Sequence, residues 1–223
     1  MENTPKPLVS VIIPCYNSTE LRRTLESVCK QSYSCWEALC VDDGSDMELF
    51  PVINAINDPR IFYYRLEEHN NANVARNYGI NHSRGEYIAM LDSDDEWLET
   101  HLEDSVSMLL EEKADCIYGS LILRGETDSI FTARPVGEDE TVIDYLLSTG
   151  YGAQTSTLVM TALSAKDILW DETLKRHQDY DFVIRYSRKY KIFPRIKPTV
   201  IYHFSDTPPI IDFDSCIRFI HTV

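Results

Sequence analysis

Residues 85–95 read GEYIAMLDSDD: a strand-like run at 86–91 that ends in three acids, Asp92, Asp94 and Asp95, around Ser93. A short apolar run bounded by glycine and a polar cluster reads as a β-strand. The same figure occurs twice upstream. The run at 36–41 (WEALCV) passes into Asp42-Asp43-Gly44-Ser45, and the run at 8–13 (LVSVII) into Pro14-Cys15-Tyr16-Asn17. Pro14 is expected to end the first strand, because it biases Ile13 toward the extended region and lacks an N–H. Between these runs lie helical patterns. Asn17 is placed to cap a helix with Glu20 as reciprocal partner, and Leu21, Leu25, Val28 and Cys29 then share a face. A third strand is predicted at 61–66 and a helix at 74–82, while Leu98, Leu102, Val106 and Leu109 mark a helix after the acid cluster.

Strand-helix alternation with short apolar strands implies an α/β domain: a mostly parallel, Rossmann-like central sheet with helices on both faces. Polar clusters follow the first, second and fourth strands, at the carboxyl edge where open α/β sheets bind ligands. The pattern changes near residue 114. Strands are predicted at 115–123, 129–133 and 155–161, helices at 141–147 and 179–190, and extended chain at 192–204. The last stretch, 205–223, holds Pro208-Pro209 and is expected to be a loosely attached tail.

With 223 residues, 43% hydrophobic and 26% charged, the chain has ordinary globular composition and enough length for a sizeable core. Its formal net charge of −15 would repel phosphate backbones, so nucleic acid is excluded as a partner. The charge is uneven: residues 166–197 carry nine Lys and Arg against five Asp and Glu. Six cysteines show neither CxxC pairing nor metal-like spacing with histidine, no signal peptide is apparent, and no apolar run reaches membrane-spanning length. The expectation is a reduced, cytoplasmic protein.

There is no P-loop motif, no GxGxxG after the first strand and no GxSxG, which disfavours nucleotide hydrolysis, dinucleotide redox chemistry and acyl hydrolysis. Strand-end carboxylates remain: Asp42, Asp43, Asp92, Asp94 and Asp95. Three acids within four positions repel one another. Mg²⁺ or Mn²⁺, held by one or two carboxylates together with substrate phosphates, would relieve that repulsion. The competing interpretation is a solvated turn at the start of the next helix.

VSVIIPCYN, CVDDGSD, NVARNYGI, GEYIAMLDSDD and HQDYDFVIR, in this order, strongly resemble family 2 glycosyltransferases of the GT-A fold over about residues 6–204. The resemblance implies a single domain with a nucleotide-sugar-binding half at 6–114 and a mixed, acceptor-binding half at 115–204. It implies an inverting, metal-dependent transfer from a nucleotide-diphospho-sugar, UDP-linked, to an acceptor hydroxyl in polysaccharide, glycan or glycolipid synthesis. By position, Pro14, Tyr16 and Asn17 form the nucleotide-facing turn, with Tyr16 packing on the base. Asp43, with Asp42 beside it, accepts from the base ring; Arg76 approaches the nucleotide and its phosphates; Asp92 supports the ribose or the metal shell. Asp94 coordinates the metal, with Asp95 an alternative ligand and His203 a further contact. Asp179, after Gln178, is the general base, and Asp181 is structural.

Where the family often has a glycine shortly before ARN, this chain reads His69-Asn70-Asn71-Ala72-Asn73, so the sugar-side turn is expected to have its own shape. The acceptor is expected to be a glycan or a lipid-linked saccharide. The basic segment 166–197 would meet an acidic glycan or a lipid-linked diphosphate, giving peripheral contact with the inner face of a membrane. The alternative from another class is a catalytically inactive nucleotide-sugar-binding subunit, which the retained Asp179 argues against. A sugar-nucleotide pyrophosphorylase would want a Gly-rich basic loop after the first strand, and 14–17 is not one.

Overall fold

The computed structural model describes residues 5–150, 152–204 and 212–222. Within them the chain runs β1 (Val9–Cys15), α1 (Leu21–Cys29), β2 (Trp36–Asp42), α2 (Phe50–Ile56), β3 (Ile61–Arg65), α3 (Ala72–His82) and β4 (Tyr87–Met90). It continues through β5 (Glu96–Trp97), α4 (His101–Glu112), β6 (Cys116–Arg124), β7 (Ser129–Phe131), α5 (Val142–Thr149) and a 3₁₀ turn (Thr155–Thr157). β8 (Val159–Thr161), α6 (Ala162–Ile168), α7 (Gln178–Ser187), β9 (Ile192–His203) and α8 (Phe213–Thr222) complete it.

Among the described residues one sheet runs in the order β3-β2-β1-β4-β8-β6-β9-β5, with β7 beside β6. The first four strands pair in parallel. β8 is antiparallel to both β4 and β6, so the sheet becomes mixed there. Period-2 alternation sends Val9, Val11, Ile13 and Cys15 of β1 into the layer with α1 and α4, and Ile12 into the layer with α3, α5 and α7. Helix α3 presses close on β1. A Cβ at Gly79 would lie 2.6 Å from Ile12 Cγ2, so only glycine allows this approach.

Several elements differ from the sequence expectation. β1 does not stop before Pro14 but runs on to Cys15, with Pro14 paired to Val41. The β4 ladder ends at the Ile12–Met90 pair, so the missing N–H of Pro14 deprives no neighbour. Asn17 does not cap α1. The helix starts after Glu20 without a side-chain cap, while Asn17 has φ 48° and Oδ1 accepting from Asp46 N at 2.9 Å. The strand expected at 155–161 is a 3₁₀ turn followed by the three residues of β8. Helices α2 and α6 and strand β5 are too short to show a period. Pro208-Pro209 lies outside the described residues, but the rest of the expected tail is not loose. Phe219 of α8 is buried, with its ring centroid 5.0 Å from that of His177, and Ser215 Oγ accepts from Lys175 N at 2.9 Å. No helix among the described residues is long and apolar enough to cross a membrane.

Candidate active site

The carboxyl ends of β1, β2 and β4 open into a cleft of about 880 Å³, bordered among others by Tyr16, Asp43, His69, Arg76, Asp92 and Asp94. Pro14, Asn17 and His203 also border it. Two clusters of side chains organise it.

The first cluster gathers where β1 and β2 end. Gly44 has φ +72°, and a Cβ there would lie 2.7 Å from His69 N, so the Asp-Gly turn lets the 68–70 backbone come close. Asn70 N then donates to both Asp43 oxygens at 3.1 Å. His69 Nδ1 sits 2.9 Å from Asp43 Oδ2, and its ring stacks on Tyr16 with centroids 3.7 Å apart and planes 17° apart. Desolvation pushes the Asp43 carboxyl above its ordinary range, while the Asn70 amide and His69 act to hold it down. Asn17 borders the cleft, but its side chain is tied to the 46–47 backbone. Asp42 departs from expectation. It is fully buried behind the cleft, with Oδ1 accepting from Ser45 N at 2.9 Å and Oδ2 from Tyr63 Oη at 2.6 Å. It shapes the turn that presents Asp43 and offers nothing to a ligand.

The second cluster centres on Arg76, which lies buried on α3. Its Nη2 donates to Asp92 Oδ1 at 2.8 Å, and its Nη1 to Asn73 Oδ1 at 2.8 Å and Gln178 Oε1 at 2.9 Å. The guanidinium lies 4.5 Å over the Trp170 ring. Asn73 Nδ2 donates to Asp171 O, and Asn77 Nδ2 to Trp170 O, so α3 also fastens the segment that leads into α7. One buried fork thus joins the end of β4 to the start of α7.

The adjacent acids Asp94 and Asp95 are separated by the fold. Asp94 borders the cleft, and its carboxyl is raised by desolvation and by Asp92. Asp95 is turned into the core, with Oδ2 accepting from Ser156 Oγ at 2.6 Å and Oδ1 from His203 N at 3.1 Å. As an alternative metal ligand Asp95 is therefore badly placed, since both oxygens are already engaged inside the protein. His203 reaches the cleft, with Nε2 2.8 Å from Glu96 Oε1. Among the described residues no three His, Cys, Asp or Glu side chains converge as a ready-made metal centre. Asp92 and Asp94 nevertheless suit a hard divalent cation: both are carboxylates, and Asp94 is raised first by desolvation and then by the neighbouring Asp92 charge.

Asp179 occupies the first turn of α7, with Oδ1 accepting from Tyr180 N at 3.0 Å. Its carboxyl is pushed up to about 6, chiefly by desolvation and further by the Asp92 charge, against Tyr180 N and Arg76. Asp181 is structural, as expected: fully buried, with Oδ2 accepting from Arg185 Nη2 at 2.6 Å.

Residues 10–155 match the family model described as Glycosyl transferase family 2. The chain belongs to that family. This family 2 chain is 34% identical over 207 residues to the amylovoran biosynthesis glycosyltransferase AmsB of Erwinia amylovora, covering 87% of this chain and 69% of AmsB. It is 40% identical over 115 residues to WfgD of Escherichia coli, a UDP-Glc:alpha-D-GlcNAc-diphosphoundecaprenol beta-1,3-glucosyltransferase, covering 51% of this chain and 45% of WfgD. Among solved structures it is similar to Staphylococcus aureus TarS 1-349 in complex with UDP, with a TM-score of 0.79 at 20% identity over 96% of this chain and 63% of that one. It is also similar to the mannosyltransferase PcManGT of Pyrobaculum calidifontis in complex with GDP-Man and Mn²⁺, with a TM-score of 0.69 at 16% identity over 89% and 57%. At these identities the structures establish the fold, which is the GT-A type. The chain spans between 45% and 69% of the length of the two relatives compared by sequence.

In this family 2 chain, His69, Asn73 and Ser156 are site-shaping groups that sequence reading does not assign. Asn73 had a signal, since Asn73, Arg76 and Asn77 share one face of α3 at helical spacing. His69 and Ser156 had none, because loop packing alone brings them to Asp43 and Asp95. Removing the fork should loosen the whole edge. Arg76→Met is expected to lower unfolding stability by about 1.5–3 kcal/mol, the scale of lost charged hydrogen bonds. Arg76→Lys, which cannot bridge three acceptors with a planar fork, should recover only part of that. Urea unfolding of the two variants beside the parent checks both.

Proposed function

We propose that this chain transfers a sugar from a nucleotide-diphospho-sugar, UDP-linked, to an acceptor hydroxyl with inversion at the anomeric carbon. The observation that carries the proposal is the Arg76 bridge, which ties Asp92 at the cleft to Gln178, the residue next to Asp179 at the start of α7. The donor would lie in the cleft with its base toward Tyr16 and Asp43 and its diphosphate toward Asp92 and Asp94. The acceptor oxygen attacks C1 of the sugar from the face opposite the diphosphate. Its proton passes to the Asp179 carboxylate, and the electron pair of the breaking C1–O bond leaves on the diphosphate. A divalent cation, Mn²⁺ or Mg²⁺, held by Asp94 with Asp92 beside it, would supply positive charge to the leaving diphosphate.

A raised carboxyl suits a base working near neutral pH, since it is ionised above about 6 and still basic enough to accept a proton. Below that pH Asp179 is protonated, so kcat/KM is expected to fall about tenfold per unit through the acid limb. Asp179→Asn should abolish transfer while leaving nucleotide binding nearly intact. The folded carboxyl is raised above its unfolded value, so ionisation costs the fold stability as pH rises from about 4 to about 6. The Asn variant should therefore melt above the parent at pH 7, and the gap should close below pH 4. Normal turnover in Asp179→Asn would remove the base assignment and leave the fold intact. Asp94→Ala is expected to weaken nucleotide binding in Mn²⁺ and to leave metal-free binding unchanged. Calorimetric titration with UDP under both conditions is the check, and parental affinity in Mn²⁺ would count against Asp94.

The diphosphoundecaprenol acceptor in the name of WfgD supports a lipid-linked saccharide acceptor here, and with it peripheral contact with a membrane. Lys175 and Arg176 are exposed just before α7, within four positions of Asp179 in the chain. Sedimentation with anionic vesicles should show binding that weakens at high salt; salt-insensitive binding would eliminate the electrostatic case.

A further inference from the structure

We propose that the His69 imidazole is a built-in occupant of the base subsite, which the nucleobase displaces when the donor binds. This rests on the donor-site assignment above. A base held by Tyr16 and Asp43 needs two things: the exposed face of the Tyr16 ring and a carboxylate oxygen as acceptor. His69 takes both. Its ring covers Tyr16 at 3.7 Å, nearly parallel, and the same ring puts Nδ1 2.9 Å from Asp43 Oδ2 and 3.2 Å from the Asp43 main-chain oxygen. A flat heterocycle with an in-plane N–H, stacked on tyrosine and donating to the carboxylate, has the recognition chemistry of a nucleobase.

The surroundings allow the exchange. The His69 side chain is 47% exposed, so it can swing to solvent without opening the core. Asp43 stays where it is when His69 leaves, because Asn70 N donates to both of its oxygens and its own N–H donates to Cys15 O at 2.8 Å. The exchange also favours certain bases. Uracil, thymine and guanine carry a ring N–H that restores the donor lost from Asp43 Oδ2, whereas N3 of cytosine carries no hydrogen and could repay that oxygen only through its exocyclic N4 amine, in a shifted pose. His69 thus sets the threshold that every base must pass, and Asp43 decides which bases are repaid with a new hydrogen bond.

The test is calorimetric titration of the parent, His69→Ala and His69→Phe with UDP and CDP in Mn²⁺, with GDP and dTDP as further probes. His69→Ala should bind UDP about three- to thirtyfold more tightly than the parent, the scale of one aromatic stack and one hydrogen bond. CDP should gain by a similar factor, since the same ring is removed from its path, and the parent's preference for UDP over CDP should persist. His69→Phe, which keeps the stack without the donor, should fall between Ala and parent. In the parent, ring-proton signals of His69 should lose their tyrosine ring-current shift as UDP is added. Equal or weaker UDP binding by His69→Ala would overturn the proposal and make His69 a bystander or a second stacking surface. If no nucleotide binds any of the three proteins, the donor-site assignment itself falls, and His69 with it.

Discussion

The site depends on a guanidinium placed where guanidinium groups are rarely tolerated. Arg76 is 5% exposed on the inner face of α3, and desolvating such a cation is costly unless its donors are met. Four compensations are visible: Asp92, Asn73, Gln178 and the Trp170 ring beneath. Each comes from a different stretch of chain, so meeting the demands of one side chain fixes the relative positions of β4, α3 and α7. Trp170 in turn stacks on Phe182 of α7 with planes 12° apart, which carries the constraint into the second core layer. A lysine would satisfy the charge but not three acceptors at fixed angles.

Around that fork the fold sorts its acids by environment. Asp42, Asp95 and Asp181 are fully or almost fully buried and engaged inside the protein: they hold a turn, a strand end and a helix. Asp43, Asp92, Asp94 and Asp179 stand at the cleft or beside it, and three of these four have carboxyls raised by desolvation. The raised groups have a common cause, since each is partly stripped of water and Asp92 adds repulsion to two of them. A site poised in this way favours whatever brings positive charge or accepts a proton.

The parallel half was legible in the sequence because β1, β2 and β4 announce themselves as short apolar runs that end in polar clusters. Choosing between adjacent acids was not. Asp42 and Asp43 both end a strand, and what withdraws Asp42 is Tyr63 and Arg65 on β3, two residues far along the chain. Likewise Asp95 is drawn inward by Ser156 in a 3₁₀ turn that reads as strand from its composition. Helix α8 escaped because proline pairs imply loose chain, and contacts remote in sequence, Phe219 with His177 and Ser215 with Lys175, show it docked. Local pattern gives the elements, but partners remote in sequence decide which of two neighbouring carboxylates faces a ligand.

The basic segment at 166–197 illustrates the same limit. Its surplus of positive charge looks available on paper, but much of it is engaged inside the chain. Arg185 is held by Asp181, Lys189 by Asp167, Lys197 by Asp104, and Arg195 is buried. Near the cleft, Arg76 is committed to Asp92, and Arg23 to Glu20 and Glu96. What borders the cleft is therefore a set of carboxylates whose neighbouring cations are already paired, on a chain of net charge −15. A nucleotide diphosphate entering such a place would bring more negative charge, while the two arginines that border the cleft among the described residues, Arg23 and Arg76, are already paired with carboxylates. Either the diphosphate stays out, or positive charge arrives with it. On the proposed reading, Asp94 with Asp92 beside it would hold a divalent cation, and that cation would supply the missing positive charge.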